Sequence, residues 1–108
     1  MRKILKARDP YCYHCGYDTE LVVHHRKNRK MGGSKNLDHF SNLMLVCADY
    51  NMDMESMEVA AQDARDYGHK LSSWEDFSDP VFDRCTGLWY QLNDDGTKTI
   101  VDPPAELF

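Results

Sequence analysis

Residues 24–51 constrain the fold of this chain more than any other stretch. His24-His25-Arg26-Lys27-Asn28-Arg29-Lys30-Met31-Gly32-Gly33 sets two adjacent histidines ahead of a basic run and a Gly-Gly turn. Asn42 then opens an apolar run, Leu43 to Val46, that ends at Cys47, and Asn51 follows nine positions after Asn42. Imidazole takes up a proton near neutral pH, neutral imidazole and amide oxygens can hold a divalent ion, and Lys and Arg neutralise phosphate charge. Adjacent histidines alone are commonplace. Their order with Cys12, Cys15, the glycine pair, Asn42, Cys47 and Asn51 is what carries information.

Leu21-Val22-Val23-His24-His25 is β-rich and predicts a strand. Consecutive strand residues face opposite ways, so both histidines can serve one site only from a strand end or a bulge. Residues 26–41 are polar, basic and Gly-containing, hence a long loop, and loops of that length tend to be functional. Leu43 to Val46 predicts a second strand. From about Asp49 to Tyr67 there is neither Pro nor Gly, and Gly68 stands where a helix should stop, with Met52, Met57, Ala60, Ala64 and Tyr67 as the expected buried stripe.

Upstream, residues 2–8 predict a short basic helix ended by Pro10, which disfavours the helical conformation at Asp9. Tyr11-Cys12-Tyr13-His14-Cys15-Gly16 then reads as a zinc-knuckle half-site, with Gly16 permitting the tight turn. Downstream, Leu88 to Leu92, Asn93-Asp94-Asp95-Gly96 and Thr97 to Val101 give a hairpin signal with an Asp-Gly turn. Trp74, Phe77, Phe82 and Trp89 are expected to pack this hairpin onto the helix or onto a second subunit.

The chain has 108 residues, enough for one domain that profits from a structural metal or a partner. Its opening is too short and charged for a signal peptide, and no apolar run approaches the roughly 18 residues of a membrane span. A soluble cytoplasmic protein with reduced thiols is expected. The net charge of −5 hides an asymmetry: residues 1–36 carry nine Lys or Arg against three acidic groups, and residues 37–108 carry four against fifteen. The basic part coincides with the histidine stretch, and a phosphate backbone meets that local field rather than the total.

The ordered series over about residues 12–58, under half the chain, resembles the HNH nuclease family, and the tail resembles that of small HNH proteins carried by bacteriophages, so that residues 1–108 are expected to form a single HNH domain. The resemblance implies an α+β domain with a ββα-metal core, an N-terminal zinc-knuckle-like Cys-x-x-Cys and a C-terminal β-hairpin extension over about 59–108. It implies a metal-dependent DNA endonuclease or nickase, in the bacterial host cell if phage-encoded. His24 and Asn51 would ligate the catalytic ion, His25 would be the general base, and Asn42 would brace the long loop. Arg26, Lys27, Arg29, Lys30 and Lys35 would hold phosphates of DNA. Asn at position 51 stands where the family usually has His. Its harder amide oxygen shifts preference toward Mg²⁺ or Mn²⁺, with Zn²⁺ or Ni²⁺ as further candidates.

The family's second Cys-x-x-Cys would be Cys47 and position 50, which is Tyr here. Cys12, Cys15 and Cys47 line up for structural Zn²⁺ with the fourth donor open among Cys85, His14 and His39, or else they pack as small buried hydrophobes. The competing expectation is a non-catalytic nucleic-acid-binding or phage assembly protein on a degenerate HNH core, with a homodimer or packaging proteins as partners.

Overall fold

A computed structural model describes residues 2–27, 38–72 and 74–104 as an α+β fold of three helices and two sheets. The order is α1 (Arg2–Arg8), β1 (Leu21–His25), β2 (Leu43–Cys47), α2 (Ala48–Ser56), α3 (Glu58–Asp66), β3 (Val81–Asp83), β4 (Leu88–Leu92) and β5 (Lys98–Val101). β1 and β2 form an antiparallel pair with Leu21 opposite Cys47 and His25 opposite Leu43; β3, β4 and β5 form an antiparallel meander. Every residue of β2 is buried, and with Leu5, Tyr13, Tyr50, Met54, Tyr90 and Leu92 it makes the centre of a single apolar core.

The opening helix ends as its sequence dictates, with the Asp9 amide donating to the Leu5 carbonyl at 2.7 Å just before Pro10. Its last turn is a buried clamp rather than a basic surface. The Arg8 guanidinium forks onto the Asp9 carboxylate at 2.8 Å and donates to the carbonyls of Phe40 and Leu43, while Asp9 accepts from Tyr13 Oη and the Leu45 amide. Removing either charge would strand the other out of water.

The single helix expected over 49–67 is two helices. Met57 takes an extended conformation (φ −122°, ψ 121°) between α2 and α3, yet its amide still bonds Asp53 and its carbonyl still accepts from Ala61. Neither Pro nor Gly marks this break, and helix propensity does not report it. The buried stripe also differs from the expected one: Tyr50, Met54, Ala61 and Ala64 face the core, whereas Met52 and Met57 are 66% and 53% exposed.

Gly68 stops α3 at φ +74° as expected, and a β-carbon there would lie 2.0 Å from the Pro80 carbonyl oxygen. Gly87 has the same φ with open space around it. Gly87→Ala should therefore cost about 1–2 kcal/mol of left-handed strain, and Gly68→Ala distinctly more because backbone must move. Equal losses of unfolding free energy in urea would contradict this assignment.

The hairpin forms where its signal stands, with Gly96 at φ +88° and the Asn93 amide donating to the Thr97 carbonyl at 2.9 Å. The short strand β3 pairs along its other side. The turn is hooked to the loop ahead of β2, because Ser41 Oγ donates to Asp94 Oδ1 at 2.5 Å. Phe82 packs between Tyr67 and Trp89, at ring separations of 5.6 and 5.1 Å. Trp74, expected in this packing, is instead 84% exposed. No helix among the described residues is long and apolar enough to cross a membrane.

Candidate functional site

β1 ends at His25 with regular pairing throughout, so the two histidines occupy the last two positions of a strand without a bulge. They reach different partners. His24 is buried, and its Nε2 donates to the His69 carbonyl at 2.7 Å. With the proton on Nε2, Nδ1 is the lone-pair nitrogen of that ring. Burial holds the His24 pKa down to about 4, so the ring is neutral at pH 7.

His69 itself is fixed in the same tautomer. Its Nε2 donates to the Phe82 carbonyl at 2.6 Å and its Nδ1 accepts from Tyr50 Oη at 2.6 Å, while burial pushes its pKa down to about 3. The chain Phe82–His69–Tyr50 thus ties β3 to α2 and presents the carbonyl that orients His24.

These two rings make stability sensitive to acid. Above the unfolded-state pKa of about 6.5 both states are neutral and pH has no effect through them. As pH falls below that value the unfolded chain takes up protons and the folded one does not, until pH reaches the folded values near 4 and 3. Stability should drop by about 1.4 kcal/mol per pH unit per histidine. Urea midpoints measured between pH 6.5 and 5 should fall steadily, with a shallower fall for His69→Gln. A flat profile for the native chain would contradict the burial of both rings in neutral form.

His25 is half-buried, and its Nε2 lies 2.7 Å from Asp38 Oδ1. Asn42 closes the end of the strand pair: its Oδ1 accepts from the Lys27 amide at 2.8 Å, its Nδ2 donates to the Lys27 carbonyl at 3.3 Å, and its own carbonyl accepts from the Arg26 amide at 2.8 Å. These bonds grip the chain at Arg26 and Lys27, just after β1. Asn51 lies half-buried in the first turn of α2, directly after β2.

Arg26 departs from the reading of it as a phosphate contact. It is fully buried, and its guanidinium donates to the carbonyls of Gly68, Ser41, Phe77 and Asp79 at 2.5–3.0 Å. It is a core strut, because four converging carbonyls need the five fixed donors that arginine carries. Lys27 is half-buried with Nζ 5.2 Å from the Phe77 ring centre. Arg29, Lys30 and Lys35 lie outside the described residues.

The expected thiols do come together. The ligand atoms of Cys12, Cys15 and Cys47 all lie within 4.8 Å of one another, with the Cys15 and Cys47 sulfurs 3.2 Å apart. The Cys12 carbonyl accepts from the Gly16 amide at 2.8 Å, and Gly16 is at φ +81°, the tight turn its sequence called for. Cys47 ends β2 and caps α2, its sulfur accepting from the Tyr50 amide at 3.3 Å. Burial and the neighbouring Cys47 push the Cys15 thiol far above its usual range. Thiols crowded this way favour a shared divalent cation, which would reverse the cost of ionising them. The donor set fits a metal.

Asp38, Tyr50 and His69 were missed as members of the site. Tyr50 was visible only as an absent cysteine, and His69 only as the residue after the Gly68 stop; neither carries a local signal for a bond to a strand at the far end of the sequence. No family model, curated protein or solved structure matches this chain, so its function rests on what these side chains can do.

Proposed function

We propose that the chain is a metal-dependent DNA endonuclease or nickase of the HNH type. The observation that carries this reading is the order of the elements around the histidines. A strand ending in His24-His25 pairs with one that opens after Asn42 and runs straight into the helix bearing Asn51, while Asn42 clasps Lys27 across the strand ends.

In this reading Asp38 is a positioning residue. With His25 Nε2–H donating to its carboxylate, Nδ1 is left to take the proton from the attacking water. His24, oriented by the His69 carbonyl, and the Asn51 amide oxygen would hold a divalent cation, Mg²⁺ or Mn²⁺ by ligand hardness. When bound, that ion supplies stabilisation of the charge developing on the scissile phosphate. Water activated at His25 attacks in line, leaving 5′ phosphate and 3′ hydroxyl ends. Lys27, with Arg29, Lys30 and Lys35, would hold flanking phosphates without reading bases, so affinity falls steeply with salt. Arg8 and Arg26 make no part of this face, being buried.

Supercoiled plasmid incubated with the purified chain tests the reading. Relaxed or linear DNA is expected with Mg²⁺ or Mn²⁺ and intact plasmid with EDTA. Plasmid that is bound but never cut under any divalent ion would instead support a binding or phage assembly role on a degenerate core.

We also infer that the three-thiol group holds structural Zn²⁺, since thiolates in a Cys-x-x-Cys turn select that ion. Zinc at a hundredfold excess over its dissociation constant adds about 2.7 kcal/mol, on the order of 10 °C in melting temperature for a domain of this size. Cys12→Ser, or a strong chelator, should lower the melting temperature by that order. An unchanged melting curve, with no zinc by elemental analysis, would refute a structural metal.

A further inference from the structure

Three thiols leave a tetrahedral ion one donor short, and the residue at position 50 is a tyrosine. Tyr50 nevertheless shapes the missing corner. Its ring lies flat against that of His14, centroids 4.0 Å apart and planes within 7°, and it is itself fixed at both ends, by its hydroxyl on His69 Nδ1 and its amide on Cys47 Sγ. His14 Nδ1 lies 3.2 Å from Cys15 Sγ. Two ligands of one zinc, at about 2.3 Å for sulfur and 2.0–2.1 Å for nitrogen, stand roughly 3.6 Å apart, so this pair already has nearly the separation of co-ligands.

The other open donors fit less well. Cys85 Sγ lies 4.0 Å from the Cys12 carbonyl oxygen and stands outside the cluster of sulfurs. His39 is turned to the hairpin, with Nδ1 3.6 Å from Asp94 Oδ2 and its ring against Phe77.

We propose that His14 supplies the fourth ligand through Nδ1, giving a site of three thiolates and one imidazole. This combination is among the standard structural zinc sets. To meet Cys12 and Cys47 as well as Cys15, the ring moves in along the face of Tyr50, since His14 stands outside the group of atoms within 4.8 Å of one another. Tyr50 then replaces a ligand by guiding one.

The proposal rests on the zinc reading of the thiol group and is independent of nuclease activity. Its test is X-ray absorption at the zinc edge of the zinc-loaded full chain, with zinc per chain counted by elemental analysis. One zinc with three sulfur neighbours and one nitrogen is expected, unchanged in Cys85→Ser. His14→Ala should keep three sulfurs and lose zinc to a competing chelator at least about tenfold more readily. His14→Cys should give four sulfurs, which shows that the turn still folds and that position 14 reaches the metal. A four-sulfur shell in the native chain that falls to three in Cys85→Ser would overturn the proposal in favour of Cys85. A shell and zinc retention unaltered by both His14 variants would overturn it too, whereas a native chain that takes up no stoichiometric zinc would remove the zinc reading itself.

Discussion

His25→Ala should cut plasmid cleavage in Mg²⁺ by about 10²–10⁴-fold, the range a positioned general base contributes, while DNA binding and the melting temperature stay close to those of the native chain. His25 is the last residue of β1, half-buried, and its ring bonds the exposed Asp38 carboxylate rather than the core, so its removal leaves no stranded buried partner. Its chemistry, by contrast, is not taken over by His24, which is buried and committed to the His69 carbonyl. Asp38→Asn should fall between the two, because an amide still accepts the ring proton but no longer stabilises the imidazolium that forms when His25 takes the water's proton. Its cleavage should drop while its melting temperature holds. Cleavage by His25→Ala equal to that of the native chain would point to a contaminant or to another site.

Arg26→Met should destabilise the fold by about 3–5 kcal/mol, on the order of 10–20 °C in melting temperature. The substitution keeps the apolar stem but leaves the carbonyls of Gly68, Ser41, Phe77 and Asp79 without donors in a place water does not reach. Those carbonyls lie in the connection ahead of β2 and in the long connection from α3 to β3, so the loss loosens the end of β1, the turn after α3 and the approach to β3 together. Burial draws the Arg26 pKa down to about 9, which still leaves it charged at neutral pH. Arg26→Lys should rescue little, because one ammonium cannot span four directions. His25→Ala thus lowers activity with the fold intact, whereas Arg26→Met weakens the fold itself. A melting temperature for Arg26→Met within two or three degrees of the native value would mean that the carbonyls find water and that the burial is not real.

Local signals made the strands and turns legible before any coordinates. The β-rich run to His25, the apolar run after Asn42, the Pro10 and Gly68 stops and the Asp-Gly hairpin all act over a few residues, and each stands where expected. The spacing of Cys12 and Cys15 forecast their approach to each other, and Cys47 joined them because β2 pairs with β1 in the register that puts Leu21 opposite it. What stayed hidden depends on tertiary contact. No residue near Met57 announces a broken helix. Arg26 looks like one member of a basic run until four carbonyls from elsewhere in the chain are seen to converge on it. Charge counts along the sequence thus overstate the basic face, since Arg8 and Arg26 are both taken into the interior.

The proposed chemistry needs one cation held by His24 and Asn51 with His25 beside it, and Mn²⁺ titration followed by NMR tests that most directly. In a sample with labelled imidazole and side-chain amide nitrogens, substoichiometric Mn²⁺ should broaden the signals of these three side chains first and together, with Asp38 close behind and the hairpin residues unaffected. Broadening confined to the acidic groups of the hairpin and α3, with the three signals untouched, would contradict the shared site and the nuclease reading built on it.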